Sequence, residues 1–181
     1  MKILMVIPYF VPAWSYGGPL SVCYLMSKTL VKQGHEVTVV TTDTLDGSNR
    51  ISQSKEMIDG ILIIRFKNIS NSLAKKANIY LPIGFYDWLK KNIENYDVMH
   101  CHDFFTFQNV CVSMLARKHN IPYIVQPHGS AVPKIERGKS KIKSLFNHFW
   151  GKQIIKEAKS VIALTKQEKN DIQNYFSVEN T

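Results

Sequence analysis

The hydrophobic positions along the chain follow two patterns, short uniform runs and longer stretches at helical spacing. The uniform runs are rich in β-branched residues and predict strands that are covered on both faces. These predicted strands lie at residues 3–7, 37–42, 60–66, 97–101, 122–126 and 160–164. The stretches with apolar residues three and four apart predict helices at 19–31, 83–93, 105–119, 139–159 and 166–176. The remaining polar segments, rich in turn residues, predict loops at 43–54 and 68–76.

Six strands separated by helices or long crossovers imply a parallel sheet with helices on both faces. We therefore predict a single α/β domain over residues 1–181, a doubly wound, Rossmann-like fold that binds ligands beyond the carboxyl ends of its strands. The last helix has a clear start, because Thr165 is a good N-cap and Glu168 stands three residues on, the pattern of a capping box.

Composition narrows the class of protein. The chain is 45% hydrophobic and 20% charged, and its mean hydropathy is −0.14, which argues against long disorder. No window approaches the ~20 apolar residues of a membrane span. The first residues show no signal-peptide cleavage site, and three scattered cysteines suggest neither a disulfide framework nor a zinc ribbon. These features predict a cytoplasmic location.

Positive charge is concentrated in one segment. The chain carries a net charge of +9, and residues 134–159 hold eight lysines and arginines against two glutamates. Such a patch attracts anionic lipid, a nucleotide-linked substrate or nucleic acid, although a solvated face is an equal alternative. Apolar residues of the predicted helix 139–159 form a stripe that we expect to face the core, with a membrane-surface helix as the alternative. In that alternative, Lys139, Lys141 and Lys143 face the headgroups.

The loop after the first strand carries a glycine pair, Gly17 and Gly18, followed by Pro19. Glycine lets the backbone approach a ligand closely, and proline fits the first turn of a helix. Unpaired N–H groups at that helix start favour a phosphate, and a glycine pair that serves only to make the turn is the equal alternative. The loop lacks both G-x-G-x-x-G and the Walker pattern, which argues against dinucleotide dehydrogenases and phosphate-loop ATPases.

Histidines follow two further strands. His128, followed by glycine, is placed to reach into a cleft, with a structural role as the equal alternative. His102 and Asp103 fall at the carboxyl end of a strand and could line the cleft, whereas His100 is expected within the sheet. A metal site here is disfavoured, because alternate side chains of a strand point to opposite faces. Asp43 is interpreted as a loop-starting residue in preference to a ribose ligand.

Five segments, taken together in their order and spacing, resemble the N-terminal domain of GT-B glycosyltransferases, specifically the retaining family 4 enzymes (glycosyl transferases group 1). The resemblance spans nearly the whole chain. After the opening strand, its pieces are Pro12 with GGPLSV from Gly17, LVKQGHEVTVVT from Leu30, DVMHCHD from Asp97, PYIVQPHG from Pro122 and AKSVIALTKQE from Ala158. The proline after the glycine pair, Pro19, resembles the pattern of a capsular or lipopolysaccharide-type subgroup of the family.

The resemblance implies roles for particular residues. Gly17 and Gly18 would lie against the donor diphosphate, and His128 would approach the transferred sugar as the catalytic histidine. Thr165 would lie near the cleft. The contacts implied for the acceptor are Trp14, Tyr16, His102 and Asp103. The family needs no cofactor and no catalytic metal, since the nucleotide sugar is a co-substrate.

Family enzymes are about twice this length, and their second domain binds the nucleotide sugar through a Glu-x₇-Glu motif and a basic pair. This chain contains neither. We therefore expect the C-terminal donor-binding domain to be absent from it and the 181 residues alone to be inactive. The implied activity is transfer of a sugar (EC 2.4, hexosyl class) from a nucleotide-sugar donor to a bacterial surface glycan or lipid-linked saccharide, in the cytoplasm or at the inner face of the membrane.

Two other classes of protein are alternatives to a glycosyltransferase. The first is a non-catalytic, basic Rossmann-like module that binds nucleic acid or a protein partner. The basic cluster lacks the interleaved aromatic platform expected for binding single strands, and no helix-turn-helix pattern is present, so nucleic acid is not an expected partner. The second is a nucleotide-sugar epimerase or dehydrogenase, which the missing glycine fingerprint disfavours.

Overall fold

The structure is a computed structural model that describes residues 1–133 and 140–179, without the side chains of 140–142. A seven-stranded sheet in the order β3-β4-β2-β1-β5-β6-β7 forms its centre. The strands are β1 (Lys2–Val6), β2 (Glu36–Thr42), β3 (Lys55–Ile58), β4 (Ile61–Phe66), β5 (Val98–His102), β6 (Tyr123–Gln126) and β7 (Ser160–Val161). All neighbouring strands are parallel except β3, which pairs antiparallel with β4.

Seven α-helices accompany the sheet in the described part of the chain. They are α1 (Gly18–Lys32), α2 (Asn71–Ala77), α3 (Phe85–Asn92), α4 (Phe107–His119), α5 (Ser140–Phe146), α6 (Lys152–Glu157) and α7 (Lys166–Phe176). A π-helical turn, Asn147–Gly151, joins α5 to α6, and short 3₁₀ turns lie at Trp14–Tyr16 and Ile93–Asn95.

The predicted doubly wound α/β fold is confirmed, because helices cover both faces of the sheet. Along β1, Met5 packs on the face that carries Leu20 of α1, and Leu4 packs on the opposite face with Val112 of α4 and Ile155 of α6. This alternation follows from the two-residue period of a strand. Each face buries its own apolar cluster, so β1 is apolar throughout.

One strand was not predicted, and one loop prediction was wrong. The strand β3 lies between the predicted loop 43–54 and the predicted strand 60–66, and an edge strand half open to solvent shows no uniform apolar run: Lys55 and Met57 are exposed. The helix α2 lies in the predicted loop 68–76. It has only seven residues, and it is defined by its ends, with the Ser70 side chain accepting a hydrogen bond from the Leu73 N–H and Asn78 left-handed at the C-cap.

The predicted helix 139–159 also differs from expectation. Its apolar stripe does not pack as one face: Ile154 and Ile155 are buried, whereas Phe149 is 58% and Trp150 45% exposed. A π turn inserts one residue into a helix and so rotates the following side chains by roughly 100°. The turn at 147–151 therefore places the two ends of the stripe on different faces.

The strand order fixes where a ligand crevice can form. From β1 at the centre the chain first builds β2 and β4 on one side, then β5, β6 and β7 on the other. Adjacent loops leave β1 and β5 in opposite directions at such a switch point, which opens a crevice at the carboxyl ends of the strands. The loops after β1, β5 and β6 border this crevice.

Candidate functional site

The loop after β1 ends in the double-glycine turn, Gly17 and Gly18. Gly17 has φ +81° and ψ −139°, a conformation that L side chains rarely adopt, and its carbonyl and N–H are used within the local turn. A Cβ added to either glycine would meet no atom within 4 Å. The turn is therefore open on its outer side, and α1 begins there with its N-terminal N–H groups. Trp14, beside it, is 51% exposed.

A tyrosine and an aspartate join the β1 loop to the β5 loop. The Tyr9 hydroxyl donates to Oδ2 of Asp103 over 2.9 Å, and the Tyr9 ring stacks on that of Tyr16 with centroids 4.4 Å apart. Asp103 has φ +63° and is buried. Burial raises the pKa of Asp103 to about 6.

Three histidine rings form a column from the sheet to the β6 loop. The rings of His100 and His102 are stacked with centroids 4.4 Å apart, and Nδ1 of His102 lies 3.0 Å from Nε2 of His128. Burial lowers the pKa of His100 to about 4, that of His102 well below its usual value, and that of His128 as well. All three rings are therefore neutral at pH 7.

Burial also corrects part of the sequence interpretation. His102 is fully buried and Asp103 nearly so, hence neither lines the crevice surface as predicted; both lie beneath it. The chain places polar residues at a strand end, but loops from β1 and β6 cover them. Their effect on a ligand must pass through Tyr9 and His128, which they contact.

The His128 turn is held from a second side by Glu168. Oε1 of Glu168 accepts from the Gly129 N–H over 2.6 Å, and Oε2 accepts from the Leu164 N–H over 2.8 Å. Of the two hydrogen bonds of the predicted capping box, the structure shows one, in which Thr165 Oγ1 accepts from the Glu168 N–H. The Glu168 carboxylate, however, reaches past the cap to a turn 39 residues away. Sequence reasoning missed this role because its only local signal was the capping pattern.

An open cavity of about 190 Å³ lies beside this turn. Its lining includes the side chains of His128, Thr165 and Glu168. The structure thus brings together two residues, His128 and Thr165, that the sequence analysis placed near the cleft separately.

A larger apolar groove of about 570 Å³ opens between the α2–α3 connection and the start of α4. Phe105, Phe146 and Trp150 line it, with Lys143 at its edge, where Nζ lies 4.6 Å from the centroid of the Phe105 ring. Tyr80, which also lines the groove, packs against Tyr9. The groove therefore adjoins the aromatic residues beneath the crevice.

Other candidates stay outside the site. Asp43 is engaged by Arg50 over 2.7 Å and by the Asn68 N–H, which agrees with a structural role in its loop. Lys139, like the side chain of Lys141, falls outside the described residues. Within 1–133 and 140–179, no three histidine, cysteine, aspartate or glutamate side chains are grouped as metal ligands. Among the helices of the same residues, none has the length and apolar character needed to cross a membrane.

One comparison with known proteins identifies a family. The family model described as Glycosyltransferase Family 4 matches residues 16–181. A search of curated proteins by sequence gives no significant match.

Several solved structures share the fold. The catalytic domain of starch synthase IV from Arabidopsis thaliana, bound to ADP and acarbose, superposes with a TM-score of 0.59 at 13% identity, over 97% of this chain and 50% of that one. HepE from Anabaena in complex with UDP-glucose gives 0.59 at 14% identity, over 96% and 40%. A UDP-N-acetylglucosamine 2-epimerase assigned in Listeria monocytogenes gives 0.57 at 17% identity, over 99% and 42%. The chain thus spans half or less of the length of these structures.

Proposed function

The chain belongs to glycosyltransferase family 4, and we propose that it is the acceptor-side half of a retaining enzyme. In this proposal the enzyme transfers a sugar from a nucleotide-sugar donor to a saccharide or lipid-linked acceptor of a bacterial surface glycan. The neighbours bound to ADP and to UDP-glucose support a nucleotide-sugar donor. The matched family model favours transfer over epimerisation.

One observation carries the proposal: the double-glycine turn and the His128 turn follow parallel strands at the same edge of the sheet. Tyr9, from the loop that leads to Gly17, contacts Asp103, and the adjacent His102 contacts His128. The two turns are therefore connected through a single dipeptide. A donor lying across the crevice would meet both.

The residues of this half have distinct tasks in the proposal. The Gly17–Gly18 backbone approaches the diphosphate, whose charge is favoured by the N-terminal end of α1. His128 is neutral and offers a hydrogen bond to the sugar from the opposite side. Such fixed dipoles favour departure of the nucleoside diphosphate, because they are already oriented when its negative charge develops. Thr165 and Trp14 border the space that remains for substrate.

The apolar groove supports an acceptor that carries a hydrocarbon chain. Its walls are mainly apolar, and it lies between the crevice and the exposed rings of Phe149 and Trp150. Aromatic rings with neighbouring lysines are typical of surfaces that rest on a membrane. We propose that this face, with Lys143, lies at the anionic inner face of the cytoplasmic membrane. Lys139 and Lys141, which precede it in the sequence, would add positive charge to that contact.

Transfer is tested in the complete enzyme of which we propose this chain to be half. UDP- and GDP-sugars are screened with a lipid-linked acceptor extract, and the anomeric configuration of the product is read by NMR. We expect one donor to be consumed with retention and the Gly17→Val variant to lose at least tenfold in turnover. Unchanged turnover in the variant would contradict the proposal that the diphosphate lies against the glycine turn. Interconversion of free nucleotide sugars without an acceptor would identify an epimerase instead.

Residues 1–181 alone provide a second test. Because this half would hold only part of the donor, we expect weak nucleotide-sugar binding by calorimetry and no turnover. Binding tighter than about 1 μM, equivalent to roughly 8 kcal/mol, would show that donor recognition resides here.

Membrane contact is measured by sedimentation with anionic and neutral vesicles. We expect salt-sensitive binding to the anionic vesicles, which the Phe149→Ser, Trp150→Ser double variant loses. The Leu25→Ser variant is the matched control, since Leu25 is equally exposed on the opposite face of the sheet. Equal binding to both vesicle types, or equal loss in the control, would contradict the membrane face.

A further inference from the structure

Behind the exposed His128 turn lies a fully buried imidazole, that of His102. His102 is the last residue of β5, and its neighbour across the sheet is Gln126 of β6, two residues before His128. Its Nδ1 faces Nε2 of His128 at 3.0 Å, a distance at which one nitrogen must donate and the other accept. The tautomers of the two rings are therefore coupled.

Burial decides the charge of the pair. A cationic His102 would carry its charge in a fully enclosed position beside two other imidazoles, and no acidic side chain of the described residues is hydrogen-bonded to it. Desolvation accordingly lowers the pKa of His102, and the nearby His100 and His128 rings lower it further. The pair is neutral, and one hydrogen occupies the line between the two nitrogens.

The surroundings of the other nitrogen of His102 indicate to which of the two rings that hydrogen is covalently bonded. Nε2 of His102 is buried, and no described residue offers it a hydrogen-bond partner. A hydrogen on Nε2 would therefore be a donor without an acceptor, the rarer kind of buried unsatisfied group. A hydrogen on Nδ1 is instead donated to His128, which leaves only a lone pair unsatisfied.

We propose that His102 is a positioning residue that donates from Nδ1 to Nε2 of His128 and so fixes His128 as the Nδ1–H tautomer. This inference rests on the proposed function for its meaning, since it assigns the polarity of the group that meets the substrate. With Nε2 occupied from behind, the nitrogen left for the cavity is Nδ1, which carries a hydrogen. His128 is then a neutral donor to a sugar oxygen and does not act as a base in the crevice.

The backbone supports the same arrangement. His128 has φ +53° and Gly129 φ +74°, a tight turn that points the ring back towards β5. Glu168 holds the following N–H from the other side. Ring orientation is thus set by two contacts, His102 at the side chain and Glu168 at the backbone.

The test is a direct reading of tautomers by long-range ¹H–¹⁵N NMR on histidine-labelled protein at pH 7.5. Neutral histidine in water prefers the Nε2–H form, so an Nδ1–H signature for both His102 and His128 is diagnostic. Observation of His128 in the Nε2–H form would overturn the proposal. The six histidines are assigned by single substitution, and His119→Gln is the control that leaves the pair intact.

Two variants separate positioning from packing. His102→Asn keeps an N–H donor near the position of Nδ1, and we expect His128 to remain the Nδ1–H tautomer. His102→Asp has the shape of the Asn variant but offers an acceptor instead of a donor; His128 should then shift to Nε2–H, and its titration midpoint should rise. The same His128 tautomer in both variants would contradict the proposal. If the Asp variant does not fold, the unmodified protein and the Asn variant still decide the outcome.

These readings do not depend on catalysis. If the tautomer is as proposed and no sugar transfer is found, the proposed function fails while the histidine pair stands. If transfer is found with His128 in the Nε2–H form, the positioning role fails alone.

Discussion

The two turns at the crevice contain similar glycines but are built in different ways. Gly17 and Gly129 both have positive φ, +81° and +74°, and a Cβ added to either would meet no atom within 4 Å. The double-glycine turn is fixed by its own backbone, through bonds from Tyr16 and Gly17 N–H groups to carbonyls three residues back. The His128 turn has one such backbone bond, from the Ser130 N–H to the Pro127 carbonyl, and is held in addition by side chains from distant elements, His102 and Glu168.

The two turns thus differ in whether their conformation depends mainly on their own residues or also on contacts with distant elements. A turn held by backbone bonds needs only the right residue types in sequence, so it forms wherever they occur. The long-range contacts of the His128 turn form only when the sheet and α7 are assembled. Substitutions far along the chain can therefore weaken the His128 turn.

The dipeptide His102–Asp103 connects the two turns, and its members should respond to pH in opposite directions. The pKa of Asp103 is raised to about 6, so the folded state binds this proton more tightly than the unfolded state. Stability from Asp103 is therefore greatest below pH 4 and is lost as pH rises through 6. Lowered histidine pKa values, about 4 for His100, act oppositely: stability is present above pH 6.5 and lost as pH falls.

The largest effect we expect is for Asp103→Asn. Asparagine still accepts from Tyr9 but has no charge to bury, so the variant should gain up to about 3 kcal/mol at pH 7.5 and nothing below pH 4. Urea unfolding at pH 4.5, 6.0 and 7.5 measures the difference. Asp87→Asn, at an exposed position, is the control for loss of one negative charge. A stability difference from the unmodified chain that stays constant across the three pH values would argue against a buried, titrating Asp103.

Next in size is Glu168→Ala, which removes a long-range contact from the His128 turn alone. Loss of its bonds to the Gly129 and Leu164 N–H groups should destabilise the chain by about 2 kcal/mol. Amide exchange should accelerate at those two positions and stay unchanged at Gly17. Lys169→Ala, one residue along the same helix, is the matched control. Acceleration at Gly17 as well would show that the two turns are not independently held.

The smallest effect distinguishes the two glycines of the backbone-held turn. Gly17→Ala should cost about 1–2 kcal/mol, because alanine is strained at positive φ. Gly18→Ala should be neutral or stabilising by about 0.5 kcal/mol, since Gly18 is the first residue of α1 with space for a Cβ. Thermal unfolding of both variants makes the comparison. Equal losses would mean that the conformation of Gly17 is not what fixes the turn.

The same distinction explains how much could be predicted from the sequence. The sheet, the double winding and the crevice follow from apolar runs and their order, and both glycine turns are visible as dipeptides after strands. The Tyr9–Asp103 bond and the Glu168–Gly129 bond join residues 94 and 39 positions apart, and no local pattern reports such pairs. The burial of His102 was missed for the same reason, because the loops that cover it come from other strands.

In the helical segment 140–157, the prediction from periodicity failed for a different reason. Its apolar residues have a clean spacing of three and four, but the extra residue in the turn at Asn147–Gly151 changes the phase. Periodicity assumes a constant 3.6 residues per turn, so Phe149 and Trp150 were assigned to a stripe that the structure divides. The exposed half of that stripe borders the apolar groove.

The three cysteines give the chain a practical property. Cys23, Cys101 and Cys111 are all buried and unbridged, and burial raises the pKa of each thiol, that of Cys111 to about 12. Thiolate is the reactive form towards maleimides, so the native chain should resist alkylation while folded. A cysteine introduced at an exposed position such as Lys169 could then be labelled singly with a fluorophore, without first removing the natural thiols, to report donor binding near α7.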